Sequence, residues 1–512
     1  MVELTDRPFP PGRYPLVVVG SGPGALQLTY SLRRVGVKHA VLSRDEAPGG
    51  MFRRWPIFQR MLSWTKPYAG FEAGTREYER FDWNSLLGEE AAERSIMRRV
   101  MDGTSYFPSR PEMERGLVEF AATAGLEIRY GCTWESTRKD GEEFVLTTSD
   151  GEYRAKVVVF AVGVAEPWRP QVLDVEGVQQ YGELHHADPD YYSGRRIFIV
   201  GKQNSGFEIA TGLLPFARQI VLASPGRTKL SVDTRTLVGV RARYVQPYED
   251  WALAGGVVIL EASIEKVERR GAGYVVHTKS PADGSALDFE VDDVIAATGF
   301  VSPLRDLPEL GVTTFGQSHL PEQTAFWESA SMPGIYFAGT IMQGAHGLRK
   351  HGIPSNSGAV QGYRYNARVL ARHIAETRFG LTFERPTLKP EDLVGFLLAE
   401  ASRGPELWHQ RSYLTRVVNL DRDEGITDDG IQPLAHFLDS GGPDAVAVAL
   451  EANGKDDPYP AIYVRANGAT SEHLLPPHPL LDFEGAEYRR QLGDVLSKLG
   501  LAKLGPVADP VQ

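Results

Sequence analysis

Short apolar runs alternate along the chain with stretches in which apolar residues recur every three or four positions. Residues 17–19, 157–160 and 197–200 are continuous apolar runs of strand length, which are typical of parallel strands buried on both faces. After the first and last of these runs, the chain passes through a glycine-containing turn into a segment with helical spacing. The pattern predicts an α/β fold built from strand–turn–helix units.

The first of these turns contains Gly20, Gly22 and Gly24, followed by Ala25. Gly20 permits a tight turn, Gly22 lets the backbone approach a pyrophosphate, and Ala25 lets the helix pack closely on the strand. A pyrophosphate would lie at the helix N-terminus, where free N–H groups and the helix dipole favour an anion. The turn is therefore predicted to bind a dinucleotide.

The acidic residue that contacts the ribose hydroxyls in such folds comes about 20 residues after the glycines. Ser43 occupies that position here, and Asp45 and Glu46 follow it closely. Because a carboxylate accepts hydrogen bonds from both ribose hydroxyls, we expect Asp45 to substitute in this contact.

Two further glycine turns are candidates for contact with the same ligand. Gly49 and Gly50 precede Trp55, which predicts a loop whose backbone closes over a planar ring system; the alternative is a surface turn. A later apolar run ends in Gly339 and Thr340, and the helical segment beyond it is expected to point its N-terminus at a ligand, as the first helix does.

A second, imperfect glycine turn follows the apolar run 197–200. Its residues are Gly201, Lys202, Gln203, Asn204, Ser205 and Gly206. Gln203 stands where the first turn has its middle glycine, so a side chain occurs where a backbone would approach a phosphate. The next strand ends without an acidic residue and leads to Arg227 and Lys229. These cations suit a 2′-phosphate, which favours NADPH over NADH; the alternative is a pair of solvated loop cations.

Composition excludes several classes of function. The net charge of the 512 residues is −11, which argues against a nucleic acid partner. No apolar stretch approaches the roughly 20 residues that cross a bilayer. The N-terminus lacks a basic segment followed by an apolar one, so we expect a cytoplasmic protein without a membrane partner. Cys132 is the single cysteine, which rules out a disulfide relay within one chain. No metal site is predicted, because the adjacent His185 and His186 would point to opposite faces of a strand.

Taken in order, these segments resemble those of the flavin-containing monooxygenases and related flavoproteins that bind two dinucleotides. The matching segments are 20–25, 49–55, 107–112, 201–206 and 297–300. A branch of FAD-dependent oxidoreductase domain proteins is more similar still, since it shares segments 81–87, 339–368 and 477–481.

The resemblance implies two nested Rossmann-like domains. The FAD-binding domain would comprise residues 1–175 and 325–385, and the NAD(P)H-binding domain would be inserted at 176–324. Residues 386–512 would form a mixed α/β C-terminal extension that either caps the active site or mediates a homodimer.

The resemblance also implies FAD and NADPH as cofactors. NADPH would reduce the flavin, and the reduced flavin would react with molecular oxygen to form a C4a-(hydro)peroxide. This species would oxygenate a small molecule at nitrogen or sulfur, or insert oxygen beside a ketone in a Baeyer–Villiger reaction.

Four residues are candidates for catalysis and substrate binding. The family often keeps an asparagine near the flavin; the comparable position holds Thr65, beside Lys66. Arg349 and Lys350 follow a glycine-rich loop near the flavin end and would bind an acidic substrate. In the alternative interpretation, Lys66 is a surface residue and the Arg349–Lys350 pair packs against phosphate or solvent.

The sequence is compatible with three functions. The first is an NADPH-dependent flavin monooxygenase that acts on a small molecule. The second is a flavin reductase or oxidase that moves electrons without oxygen insertion. The third is a flavin-binding scaffold protein without turnover, for which Gln203, Ser43 and Thr340 leave room because each departs from the family pattern.

Overall fold

The structure, a computed structural model, describes residues 7–55, 60–184, 188–231, 239–254, 256–348, 350–421, 425–454 and 457–497. Three large sheets organise this part of the chain. Its α-helices are Pro23–Arg34, Ile96–Val100, Arg110–Thr123, Asn204–Leu213, Ala242–Ala254, Leu307–Leu310, Val360–Phe379, Leu393–Arg403, Pro405–His409, Leu434–Asp439 and Ala486–Leu496. None of the helices in these ranges combines the length and apolar character needed to cross a membrane.

The first sheet consists of four parallel strands. In spatial order they are Ile335–Phe337, Val157–Phe160, Leu16–Val19 and Ala40–Leu42. All their side chains are buried, because helices pack on one face of the sheet and the antiparallel strands Glu143–Thr148 and Gly151–Ala155 pack on the other. The helices Pro23–Arg34 and Val360–Phe379 pack against each other beside this sheet, so the first glycine turn and the end of the last strand lie at one edge.

The second sheet repeats this plan with five parallel strands. In spatial order they are Val257–Glu261, Gln219–Ser224, Arg196–Val200, Asp293–Ala296 and Gln179–Gln180. The helix Asn204–Leu213 follows the central strand, as the helix Pro23–Arg34 follows its strand in the first sheet. The predicted α/β fold with two nucleotide-type units is thus observed.

The third sheet lies in the C-terminal part and is antiparallel. Its six strands are, in order, Thr387–Leu388, Gly425–Pro433, Leu414–Asp421, Ala445–Glu451, Tyr459–Ala466 and Ala469–Leu474. Its central strand, Ala445–Glu451, is buried throughout, because the helix Leu393–Arg403 packs against it. The sequence pattern predicts strands at 446–450 and 461–464, and both lie within observed strands.

Four further sheets complete the described part of the chain. One has strands Gly12–Arg13, Gly151–Ala155, Glu143–Thr148 and Trp134–Asp140, another has Ser263–Arg270, Gly273–Lys279 and Ala286–Val291, and two pairs join Glu166–Pro167 to Phe300–Val301 and Thr314–Phe315 to Leu320–Pro321.

A capping box begins the helix Arg110–Thr123. The side chain of Ser109 accepts a hydrogen bond from the backbone N–H of Glu112, and Glu112 accepts one from the backbone N–H of Ser109. These bonds satisfy two donors that the helix start leaves unpaired. The segment 107–112 is therefore a helix start, as its sequence predicts.

Candidate active site

The first glycine turn is packed too tightly to admit side chains. A Cβ atom on Gly20 would lie 2.5 Å from the carbonyl oxygen of Ala161, and one on Gly24 would lie 2.2 Å from the Cα atom of Gly339. Gly20 also has a φ of +131°, which favours glycine. The turn can therefore form only if these positions lack side chains, and it brings Gly339 directly against the start of the helix Pro23–Arg34.

The Gly49–Gly50 loop lies over the first turn. The backbone N–H of Gly49 donates to the carbonyl oxygen of Ser21 over 3.0 Å. A Cβ atom on Gly50 would lie 3.0 Å from the Cα atom of Gly22. Because two glycines face each other here, the backbones approach closely at the place where a pyrophosphate is expected.

The side chain of Asp45 lies beside the first turn, and Ser43 helps to hold it there. Ser21 donates a hydrogen bond to the Asp45 carboxylate over 3.1 Å, and Ser43 donates to the hydroxyl of Ser21 over 2.7 Å. Arg54 forms an ion pair with the same carboxylate. Ser43 therefore occupies the usual position of the acid and positions the residue that we expect to replace it.

The second glycine turn has the same geometry as the first. Cβ atoms on Gly201 and Gly206 would lie 2.3 Å from the carbonyl oxygen of Ala297 and 2.2 Å from that of Gly201, respectively. The side chain of Gln203 is exposed, and its backbone is extended, with φ of −105°. Gln203 therefore fits the turn without strain.

A single cavity joins the two turns. Its volume is about 1720 Å³, which exceeds the roughly 300–1,000 Å³ of most small-molecule sites and leaves room for more than one ligand. Its wall includes these sequence-predicted residues: Gly20, Gly22, Gly24, Asp45, Gly50, Trp55, Asn204, Ser205, Gly339 and Thr340. The predicted residues that do not line the wall are Ala25, Gly49, Gly201, Lys202, Gln203, Gly206 and Arg227; all except Arg227 are within three residues of a lining residue in sequence.

Three lining residues have buried polar atoms without a hydrogen-bond partner in the described chain. They are the Nε1 atom of Trp55, the Nε atom of Arg241 and the Oε1 atom of Gln361. Buried polar groups are nearly always paired, so these atoms fit a polar ligand in the cavity. Together with the glycine cradles, they match the needs of a dinucleotide with a flavin ring.

The structure identifies Arg241 as a cavity residue that the sequence pattern does not reveal. Asn204 donates a hydrogen bond to the carbonyl oxygen of Gly239 over 2.9 Å and accepts one from the backbone N–H of Arg241 over 3.2 Å. Burial lowers the pKa of Arg241, and the nearby Arg243 lowers it further. By contrast, the side chain of Arg227 is 88% exposed, and its nearest approach to the Glu261 carboxylate is 3.9 Å, at the limit of an ion pair.

Two predicted catalytic residues lie off the wall. Thr65 is buried and donates a hydrogen bond to Asp82 over 2.9 Å, and Lys66 is exposed with its ammonium 5.6 Å from the ring centre of Phe81. Trp83, which follows Asp82, lines the cavity instead. The predicted substrate residue Lys350 is also off the wall, since it forms an ion pair with Glu472. Its neighbour Arg349 lies outside the described residues.

The C-terminal part supplies one side of the cavity. Trp408, His409 and Arg411 line it, as do Ala452 and Pro458. Burial, and next the charge of Arg364, lowers the pKa of His409 well below its ordinary value, so this imidazole is neutral near pH 7. The extension therefore contributes to the site itself, which sequence patterns could not show because these residues belong to no motif.

Comparison with known proteins identifies the family. Residues 17–339 match the model of the pyridine nucleotide-disulphide oxidoreductase family. The mouse FAD-dependent oxidoreductase domain-containing protein 2 is 26% identical over 436 residues, which are 79% of this chain and 64% of that protein. The chain thus spans under two thirds of this relative's length.

Solved structures share the fold at low sequence identity. A bacillithiol disulfide reductase from Bacillus cereus superimposes with a TM-score of 0.56 at 19% identity, covering 71% of this chain and 99% of that one. A flavin-containing monooxygenase from Stenotrophomonas maltophilia gives a TM-score of 0.53 at 19% identity, covering 72% and 99%. These likenesses confirm the predicted fold class.

The matched residues span both glycine turns and the strand that leads to Gly339. The chain therefore belongs to the pyridine nucleotide-disulphide oxidoreductase family.

Proposed function

We propose that this protein is an NADPH-dependent flavin monooxygenase that oxygenates a small molecule with molecular oxygen. Its family membership makes it a flavoenzyme that uses FAD and NAD(P)H. The observation that carries the proposal is the single cavity of about 1720 Å³ onto which both glycine turns open. A hydride donor and a flavin need such a shared, enclosed space to meet.

The chain has a single cysteine, which argues against the disulfide reduction that the family's name describes. A thiol–disulfide reaction within one chain needs two cysteines, and only Cys132 is present. Burial raises the pKa of the Cys132 thiol, which disfavours the reactive thiolate. A disulfide relay within the chain is therefore not a route for the electrons from NADPH, and oxygen is the acceptor that we propose.

The FAD end of the cavity would be formed by the first turn and the helix Val360–Phe379. FAD supplies hydride acceptance and reaction with oxygen when bound. The N-terminus of the helix Pro23–Arg34 would hold its pyrophosphate, and Asp45 would accept hydrogen bonds from its ribose. Thr340 and Gln361, which line the cavity beside the start of the second helix, would contact the ring.

The NADPH end would be formed by the second turn. Asn204 and Ser205 line the cavity at the N-terminus of their helix, where a nucleotide phosphate would bind. Arg241 would pair with that phosphate, and Arg227 with the 2′-phosphate. In this proposal, residues 1–175 and 325–385 form the FAD domain and residues 176–324 form the NAD(P)H domain.

The extension at 386–512 would serve as a cap in this arrangement. Trp408 and His409 line the cavity that the glycine turns begin. Closing the site to water would keep the oxygen for transfer to the substrate, because a wet site loses it as hydrogen peroxide.

A second candidate is a reductase or oxidase that passes electrons on without oxygen insertion. Its support is that Thr65 and Lys66 do not line the cavity, so neither is placed to assist oxygen transfer. The bacillithiol disulfide reductase has the same fold, which is compatible with this alternative.

The test is anaerobic reduction of the FAD-loaded protein by NADPH and, separately, by NADH, followed through the flavin absorbance. Oxygen is then admitted and hydrogen peroxide is quantified. Rapid bleaching by NADPH, followed by slow reoxidation in which peroxide is released only as the oxidised flavin spectrum returns, is the expected result. Prompt reoxidation with stoichiometric peroxide favours the oxidase, and no bleaching with either nucleotide contradicts both candidates.

A further inference from the structure

The C-terminal part of the cavity wall contains an arginine that belongs to neither of the two glycine turns. Arg411 lies between the helix Pro405–His409 and the strand Leu414–Asp421, and it lines the cavity. The residues that we assign to the two dinucleotides belong to other segments of the chain. Arg411 is therefore available to a third ligand in the same cavity.

Buried contacts on both sides fix the backbone of Arg411. Gln410 is fully buried and donates hydrogen bonds to Asn366 over 2.8 Å and to Ser357 over 3.0 Å. Ser412 has a φ of +57°, which is rare for a residue with a side chain, and its N–H donates to the carbonyl oxygen of Leu450 over 2.9 Å. Such strained backbone persists where surrounding contacts determine it, often at functional sites.

The guanidinium of Arg411 has no carboxylate partner in the described chain. It lies 4.5 Å from the ring centre of Trp408, and the guanidinium of Arg80 lies 4.8 Å from the same centre. No acidic side chain of the described residues is within ion-pair distance of either arginine. Arg80 donates a hydrogen bond to the carbonyl oxygen of Ser402 over 2.9 Å and does not line the cavity. Buried cations are normally paired, so Arg411 marks a position on the wall that favours an anion.

Aromatic and apolar groups line the same cavity as Arg411. Trp83 and Trp408 both line the cavity, and Trp83 packs edge-on to His409 with ring centres 5.4 Å apart. Ile353 and Pro458 line the same cavity. A ligand that satisfies these groups has an anionic end for the guanidinium and an apolar body for the indoles.

We propose that Arg411 binds the anionic group, a carboxylate or a phosphate, of a substrate whose apolar body packs against Trp408 and Trp83. The proposal rests on the proposed function, since it names the class of substrate that this cavity would oxygenate. It offers an alternative to the predicted Lys350, which is paired with Glu472. A bidentate carboxylate contact suits the planar guanidinium.

The experiment measures binding to the FAD-loaded protein by calorimetry, without turnover. The probes are matched acid and amide pairs: phenylacetate with phenylacetamide, and indole-3-acetate with indole-3-acetamide. The variants are Arg411→Gln and Arg411→Lys, with Arg403→Gln as the matched control, because Arg403 pairs with Glu484 and does not line the cavity. FAD content and the melting temperature establish that each variant is folded.

We expect the acids to bind about 10-fold or more tightly than the amides, since a charge-assisted hydrogen bond contributes roughly 1.5–3 kcal/mol. The preference is lost in Arg411→Gln, partly kept in Arg411→Lys and unchanged in Arg403→Gln. Equal responses within each pair, including no response to either, would overturn the proposal. So would a higher KM for NADPH in Arg411→Gln with the acid preference intact, since Arg411 would then serve the nucleotide.

Because the calorimetry needs no electron transfer, its outcome is independent of the proposed function. Acid preference without flavin reduction by NADPH would support the anion site and contradict the monooxygenase. Flavin reduction without acid preference would contradict the anion site and would agree with both candidate functions.

Discussion

At Gly24, the absence of one methyl group decides whether the first helix can start beneath Gly339. A Cβ atom there would lie 2.2 Å from the Cα atom of Gly339, and both atoms belong to backbone that cannot rotate away. Gly24→Ala is therefore expected to separate the two segments that form the FAD end. Overpacking of this kind costs about 1–3 kcal/mol of the free energy of unfolding, and we expect the purified variant to retain much less FAD. The ratio of flavin to protein absorbance measures this loss.

Gly441→Ala is the matched control for that substitution. No atom lies within 4 Å of a Cβ built on Gly441, so the variant should keep its FAD. Full flavin content in Gly24→Ala would contradict the role of the Gly24–Gly339 contact.

Variants of Arg227 and Arg241 should distinguish the preference between NADPH and NADH from the affinity for either nucleotide. Arg227 is highly exposed and weakly paired, so Arg227→Gln should lower the preference for NADPH over NADH by about 10-fold, by loss of one charge-assisted contact. Arg241→Gln should raise the KM for both nucleotides, because a pyrophosphate is common to them. Steady-state flavin reduction with each nucleotide checks both results; equal effects of the two variants on NADPH and NADH would contradict the assignment.

The glycines of this site could be predicted from the sequence, whereas several of its side chains could not. Gly20, Gly24 and Gly206 act through local backbone geometry, which spacing records directly. Arg241 and Arg411 reach the cavity through contacts with distant segments, and no local pattern records such contacts.

At the scale of elements, an ionic cluster joins Arg76 to the helices Leu393–Arg403 and Pro405–His409. Arg76 donates hydrogen bonds to Glu400 over 2.8 and 2.7 Å and to Glu406 over 2.7 Å. The Arg76 side chain is 34% exposed, and Arg416 and Arg368 lie within 4 Å of Glu400 and Glu406, respectively, so removal of the Arg76 side chain should cost about 1–3 kcal/mol. Arg76→Met should therefore shift the urea unfolding midpoint strongly downward, and Arg76→Lys should restore part of it.

Arg490→Gln tests whether any lost ion pair has this effect. Arg490 and Glu487 are 63% and 58% exposed, and such surface pairs contribute about 0–1 kcal/mol. A shift in Arg76→Met no larger than that in Arg490→Gln would contradict the importance of the cluster.

Three elements meet at a stack of rings whose stability should depend on pH. His373, on the helix Val360–Phe379, stacks on Phe326 with ring centres 3.9 Å apart, and His436 packs edge-on to the same phenyl ring. Burial, and next the charge of His436, lowers the pKa of His373 to about 4. The unfolded chain then takes up a proton near pH 6.5 that the folded chain does not, so this contribution is present above pH 6.5 and is lost as the pH falls towards about 4.

The corresponding measurement is the melting temperature between pH 7 and pH 4 for the wild type and for His373→Phe. We expect the wild type to lose stability over this range and the variant, which cannot take up the proton, to lose less. Parallel curves would show that His373 does not cause the pH dependence.

At the level of elements, short motifs predicted the parallel strands, but the sequence did not show which side of segment 60–84 faces the cavity. Thr65 and Trp83 both lie in this segment, and only Trp83 lines the wall. The direction of a side chain in an irregular segment depends on what packs against it. For Trp83 the partner is His409, in the C-terminal part of the chain, which is far away in sequence.

For the whole molecule, the C-terminal part should be required for a stable flavin site. The N–H of Asn356 donates to the side chain of Gln410 over 2.9 Å, and buried Ser357 and Asn366 depend on the same glutamine. A chain that ends at residue 385 loses these three hydrogen bonds, at a cost of about 0.5–1.5 kcal/mol each. We expect it to be recovered with little FAD or to aggregate, whereas a chain that ends at residue 497, which keeps every described residue, should retain FAD.

Measurement of the flavin content of the two soluble proteins tests this requirement. Equal FAD content in both would mean that the extension is dispensable for cofactor retention, and would favour its alternative role in a homodimer. Analytical ultracentrifugation of the longer chain then determines whether such a dimer exists.

The cavity wall also has a consequence for the order of events as the chain folds. Its residues come from positions as distant as Val19 and Pro479, so nearly the whole polypeptide must be in place before the wall is complete. Contacts between segments so far apart form slowly, because closing a long loop precedes any gain from the contact. Flavin capture should thus be a late kinetic phase, and quenching of free FAD fluorescence during refolding would time the completion of the enzyme.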